Sequence, residues 1–160
     1  MTPELTTDQV WQEIEQELFC VLGMVTPDQE SRTVGVIYAV QDRVLVIGTG
    51  KTTWKARHIR QNPAVSVTIP KPKRIPLLPW IKIPAATITF SGTAAVRDAA
   101  TSSREVLQKV FRHMADNQEM VEKSCLIEIT PQGDFLTYGI GVPLIKMRQP
   151  EHARGRVNVG

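Results

Sequence analysis

Apolar residues near the N-terminus recur every four positions, at Val10, Ile14 and Leu18, with Glu13, Glu15 and Glu17 around them. The spacing predicts one amphipathic helix, opened by Thr6 and Gln9 at capping-box separation. From Phe19 the pattern shortens to β-prone runs: Phe19 to Thr26, Arg32 to Val40 after a turn at Pro27–Ser31, and Val44 to Thr49 after a tight turn at Gln41-Asp42-Arg43. Thr52 or Thr53 can cap a short helix that runs to Gln61 and stops at Asn62-Pro63. Ala64 to Ile69 alternates Val65 and Val67 with Ser66 and Thr68, a half-buried strand. After a link from Pro70 to Pro84, Ala86 to Val96 reads as a long strand in which Gly92 marks a bulge or bend. Ser102 and Glu105 suggest a second capping box, with Val106, Val110 and Met114 on one face of its helix. Ser124 to Thr130 and Phe135 to Tyr138 are the last strands, separated by a predicted turn at Pro131-Gln132-Gly133-Asp134. Six or seven strands and three helices, without βαβ alternation, predict a mainly β (α+β) fold built as an antiparallel barrel with flanking helices.

Length and charge sharpen this picture. A chain of 160 residues predicts one domain, with the helix in residues 1–19 and an extended tail over 136–160. Cys20 and Cys125 sit among apolar neighbours, as buried free thiols do, and no metal-spaced Cys/His cluster occurs. An acidic, helical start and no apolar run of 18 residues predict a cytoplasmic protein with no stable membrane insertion. Residues 1–42 carry eight acids and one base, whereas residues 43–97 carry ten bases and no acid. Such a segment implies an anionic partner, unless its charges pair with the acidic N-terminal segment.

Candidate chemistry concentrates at Thr49-Gly50-Lys51-Thr52-Thr53-Trp54-Lys55-Ala56-Arg57, where a strand gives way to a helix. A helix N-terminus offers free N–H groups and positive dipole to a phosphate. Thr49, Thr52 and Thr53 add hydroxyls, and Lys51 and Lys55 add charge. The GxxxxGK[ST] pattern of a P-loop is absent. His58, His113 and His152 lie in unrelated segments, and neither a nucleophile motif nor a carboxylate dyad accompanies them. No aromatic-interleaved strand or recognition helix supports nucleic-acid binding.

The order of these features, with Arg32-Thr33-Val34 opening a strand, Gly48-Thr49 closing a hairpin, Trp54-Lys55, Asn62-Pro63-Ala64-Val65, and Phe90-Ser91-Gly92-Thr93-Ala94, resembles the pyridoxamine 5′-phosphate oxidase-like FMN-binding split-barrel family over roughly residues 18 to 130. The resemblance implies a six- to seven-stranded split β-barrel, a homodimer and bound FMN. It implies that Arg32 contacts the flavin phosphate and that Thr33, Val34 and Gly35 lay backbone against the isoalloxazine ring. Gly48 and Thr49 add backbone and hydroxyl contacts, and Lys55 grips the phosphate. Trp54 stands where the family often has arginine, and Thr87 where it often has glutamine. The arginine-and-histidine substrate signature of true pyridoxamine phosphate oxidases is missing from the C-terminal region, so that particular activity is not implied.

These readings leave three functions open. One is an FMN-dependent oxidoreductase acting on a small molecule, one a deazaflavin-dependent reductase of the same fold, and one a flavin-binding module without turnover. Hydride chemistry would belong to the flavin, so no acid–base pair is required of the protein. The cationic, apolar link from Pro70 to Pro84 reads as a plain connecting loop, a lid or a membrane-surface contact. The tail, with Gly139, Gly141 and Pro143, reads as a strap across a dimer partner or a gate for substrate.

Overall fold

In a computed structural model, the chain is described over residues 4–75, 77–78 and 80–160; Met1, Thr2 and Pro3, and Pro76 and Pro79 of the proline-rich link, lie outside the described residues. Helix α1 (Thr7–Gln16) is opened by the expected reciprocal cap: Gln9 N donates to Thr6 Oγ1 at 3.2 Å and Thr6 N to Gln9 Oε1 at 2.8 Å. Val10 and Ile14 are buried, but Leu18 lies beyond the helix end and is exposed. The strands are β1 (Phe19–Val25), β2 (Ser31–Ile37), β3 (Ala39–Gln41), β4 (Val44–Gly50), β5 (Ala64–Lys71), β6 (Ala86–Asp98), β7 (Ser124–Tyr138) and β8 (Arg154–Asn158). They form one antiparallel sheet in the order β2-β1-β5-β6-β7-β4-β3, with β8 on β7. The two ends of that path, β2 and β3, are joined through Tyr38 alone, so the sheet curls until its ends meet. This is the predicted mainly β split barrel, with flanking helices α1, α2 (Trp54–Gln61), α3 (Arg104–Phe111), α4 (Gln118–Glu122) and α5 (Pro150–Ala153).

Four local expectations are corrected. The second predicted strand breaks at Tyr38, whose hydroxyl donates to Ile14 O at 2.6 Å and ties the break to α1. Ser103, rather than Ser102, caps α3, and the helix ends at Phe111 because Arg112 takes φ 53°. The expected turn at Pro131–Asp134 does not reverse the chain. Instead β7 bulges there against β6, between the pairs Ser91–Gln132 and Thr89–Leu136, with Gly133 at φ 74°. Finally, the tail is not merely extended: residues 154–158 add β8 to the sheet, and Thr7 Oγ1 donates to Asn158 O at 2.8 Å, binding tail to α1.

Side chains fill the barrel. Phe90 and Phe135 meet edge to face at 5.4 Å, and Trp11 of α1 meets Phe135 the same way at 5.6 Å. Leu22, Leu45, Ile47, Val67, Ile88 and Ile129 are buried in the same core, so among the described residues side chains occupy the interior, as they do in barrels of about eight strands. Any flavin must therefore lie outside the barrel wall.

Candidate functional site

The β4–α2 junction is a tightly bonded turn. Thr53 N and Oγ1 both donate to Gly50 O, at 3.2 and 3.0 Å, and Thr53 Oγ1 lies 3.3 Å from Thr49 Oγ1. Lys51 N donates to Lys123 O at 3.0 Å, and Arg60 Nη1 to Lys51 O at 3.1 Å. Thr53 occupies the N-cap with extended backbone, but its hydroxyl turns back to the strand instead of capping. The first-turn amides, Trp54 to Ala56, therefore have no side-chain cap, and they retain the donor capacity of a helix start.

The two junction lysines differ in their commitments. Lys51 Nζ donates to Asp98 Oδ2 at 2.7 Å. Together with the Ala100 amide, that bond holds the Asp98 carboxyl below its usual range. Lys55 is half-buried and makes no ion pair among the described residues, so its amine is available to a ligand. Trp54 is partly exposed, and its ring lies 5.6 Å from that of His58 on the next turn. Gly48 sits where a Cβ would come within 2.5 Å of Phe111, so it allows α3 to press against β4.

The broad basic stretch resolves into paired and unpaired members. Arg43 bonds Asp8 and Lys71 bonds Glu13, so part of it does pair with the acidic N-terminal helix. Arg97 pairs with Glu128 at 2.6 Å. Lys73 Nζ donates to Gly139 O and Val142 O at 2.6 and 3.1 Å, and burial lowers its pKa.

Arg32 stands exposed at the start of β2, 3.4 Å from Glu30. Thr33 and Gly35 face outward, and Val34 packs inward against the core. Among the described residues no strand pairs with the far edge of β2, and its backbone comes within 8 Å of β4. A Cβ on Gly35 would lie 2.7 Å from the Phe19 ring, so that ring covers the glycine from the outer face.

Thr87 is far from the junction within one chain. It pairs with Tyr138, whereas Thr49 pairs with Cys125 on the same strand β7. Their separation is thirteen residues of β7, roughly 40 Å of extended chain less what the bulge takes up. Thr87 instead lines an outer groove of about 1680 Å³ with Thr89, Leu136, Tyr138, Lys146, His152, Arg154 and Arg156. The four cationic or titratable tail residues in this groove were not singled out as site residues in the sequence. The available signal was Arg154-Gly155-Arg156: once the segment is a strand, two arginines at i and i+2 share a face.

Comparison with known proteins places this arrangement in a class. The family model described as Pyridoxamine 5′-phosphate oxidase matches residues 6–135, and the chain belongs to that family. Among solved structures it is similar to the conserved hypothetical protein Rv2991 from Mycobacterium tuberculosis, at 17% identity and TM-score 0.65, covering 82% of this chain and 85% of that one. An F420 reductase superposes with TM-score 0.55 at 17% identity, covering 84% of this chain and 98% of the other. The heme storage protein HutZ from Vibrio cholerae does so with TM-score 0.65 at 15% identity, over 84% and 96% of the two chains. At these identities the likeness to each structure is one of fold. A search of the curated proteins finds no match.

Proposed function

We propose that the protein binds FMN and serves as a flavin-dependent oxidoreductase for a small molecule, with each flavin held between two copies of the chain. The observation that carries this reading is the β4–α2 junction: an uncapped helix start with Thr49 and Thr53 hydroxyls beside it and the uncommitted amine of Lys55. That donor set suits a phosphate dianion. Lys55 and the amides of Trp54 to Ala56 would hold the phosphate, while Lys51, tied to Asp98, fixes the turn that presents them. Arg32 adds charge at the start of β2, and the edge of that strand left unpaired among the described residues offers backbone to a flat ring. A bound flavin would supply two-electron hydride chemistry, so the chain's own task is to bind, orient and shield it.

Purified protein is expected to absorb in the visible flavin bands, or to be stabilised thermally by added FMN. A colourless protein that responds to a deazaflavin and not to FMN would establish the deazaflavin reading in its place. One that binds FMN but oxidises and reduces no small molecule across a panel of hydride donors and acceptors would be a flavin-binding module.

A further inference from the structure

The long connection between β5 and β6 presents a feature that the flavin site does not use. Its root is fixed: Lys71 pairs with Ala86 at the end of the hairpin, and Lys73 holds two carbonyls of the tail. Beyond it, Leu78 N donates to Ile75 O and Ile81 N to Leu78 O, both at 3.1 Å. Leu77 is 86% exposed and Trp80 73%, and Leu78 and Ile81 are exposed as well. Two exposed bases, Arg74 and Lys82, flank these residues, with no ion-pair partner among the described residues. No acid occurs between residues 43 and 97 to offset them.

We propose that this loop docks the protein on an anionic lipid bilayer, with Leu77, Leu78, Trp80 and Ile81 entering the interface and Arg74 and Lys82 meeting the headgroups. An isolated apolar patch would suit a second protein equally well. Two bases beside it, neither ion-paired among the described residues, are complementary to a negative surface that also has an apolar layer beneath. A tryptophan in the patch fits the same boundary, since its ring is apolar and its N–H finds water or headgroup oxygen. The contact is peripheral: no helix among the described residues is long and apolar enough to cross a membrane. The inference does not depend on which cofactor the protein carries.

The test is co-sedimentation of the full chain with vesicles of phosphatidylcholine alone or mixed with phosphatidylglycerol. Wild type is expected to sediment with the mixed vesicles, far less with the neutral ones, and progressively less as salt rises. Leu77→Ser with Trp80→Ser should lower partitioning at least tenfold, because both side chains lose their apolar transfer. Arg74→Gln with Lys82→Gln should lower it about fivefold per charge on the anionic vesicles only. Unchanged melting temperatures show that the variants remain folded, as expected for side chains in solvent. The proposal is overturned if wild type stays in solution with anionic vesicles at low salt. It also falls if the serine variant binds as tightly as wild type. If that variant instead turns a dimer into a monomer in the absence of lipid, the patch is a contact between copies of the chain.

Discussion

Lys51 and Lys55 stand on either side of one turn, and Asp98 gives them different work. Because Lys51 Nζ already has a carboxylate at 2.7 Å, its removal mainly frees Asp98, whereas Lys55 has no such partner among the described residues. Lys55→Ala is therefore expected to weaken FMN binding by about 1.5–3 kcal/mol, roughly 10- to 150-fold, and riboflavin binding far less. Lys51→Ala should change FMN affinity less than Lys55→Ala does. Fluorescence titration of each variant with both flavins checks this, and equal FMN affinity for wild type and Lys55→Ala removes the central residue of the reading. The junction was legible in the sequence because hydroxyls and amines cluster within nine consecutive positions. Asp98 was not legible as its partner, since only the pairing of β7 with both β6 and β4 brings it there. Cys20 carries a second expectation. Burial pushes its thiol up to about 12 from 9.0, so the folded state favours the protonated form. Stability from that neutral thiol is complete below pH 9 and is lost as pH rises from there toward 12. Urea midpoints should fall across this window, and fall less in Cys20→Ala; an unchanged pH slope in that variant would rule the thiol out as the source.

Helix α1 shows how one element depends on a few contacts. Trp11 closes the barrel against Phe135, and its indole Nε1 is buried without a hydrogen-bond partner among the described residues. Trp11→Ala is expected to cost about 3–5 kcal/mol, since it opens a cavity beneath the helix. Trp11→Phe keeps a ring in place and deletes an unpaired donor, so its cost should stay below about 1.5 kcal/mol. Urea denaturation of the two variants tests the contrast, and equal costs would mean that the ring contact is not what seats α1. Elements with a local signal were readable in advance. The Thr6–Gln9 cap and the alternation in β5 and β6 need nothing beyond their own residues. Pro131-Gln132-Gly133-Asp134 misled because its composition favours reversal, whereas a thirteen-residue β6 offers partners on both sides of it and converts the turn into a bulge. Strand β8 was hidden for a related reason: Arg154-Gly155-Arg156 has little intrinsic β preference and becomes a strand by pairing with β7.

At the scale of the whole molecule, the site is divided. Thr87 and its groove lie on the order of 40 Å along β7 from the junction that holds Thr49 and Lys55, further than one flavin nucleotide reaches. The filled barrel offers no internal route between them. If one flavin touches both, the second set of contacts comes from another copy. The outer face of the sheet is suited to that role. Register places Ile37 beside Phe19, and Gly35, Val21, Thr68, Thr89 and Leu136 in one outward row across five strands. Ile37 is 67% exposed, and Phe19 and Leu136 are exposed beside it, an apolar content that a lone soluble chain rarely leaves uncovered. The expected assembly is a two-fold dimer through this face, in which each junction faces the partner's groove. Ile37→Glu would place a charge in the buried centre of the contact and should raise the dimer dissociation constant at least tenfold. The same variant should lose FMN as it dissociates, although Ile37 lies outside the phosphate-binding junction. Sedimentation equilibrium with flavin absorbance read in the same cell measures both quantities. A wild-type monomer at micromolar concentration that still carries its flavin would show that one copy suffices, and the division of the site between two chains would be wrong.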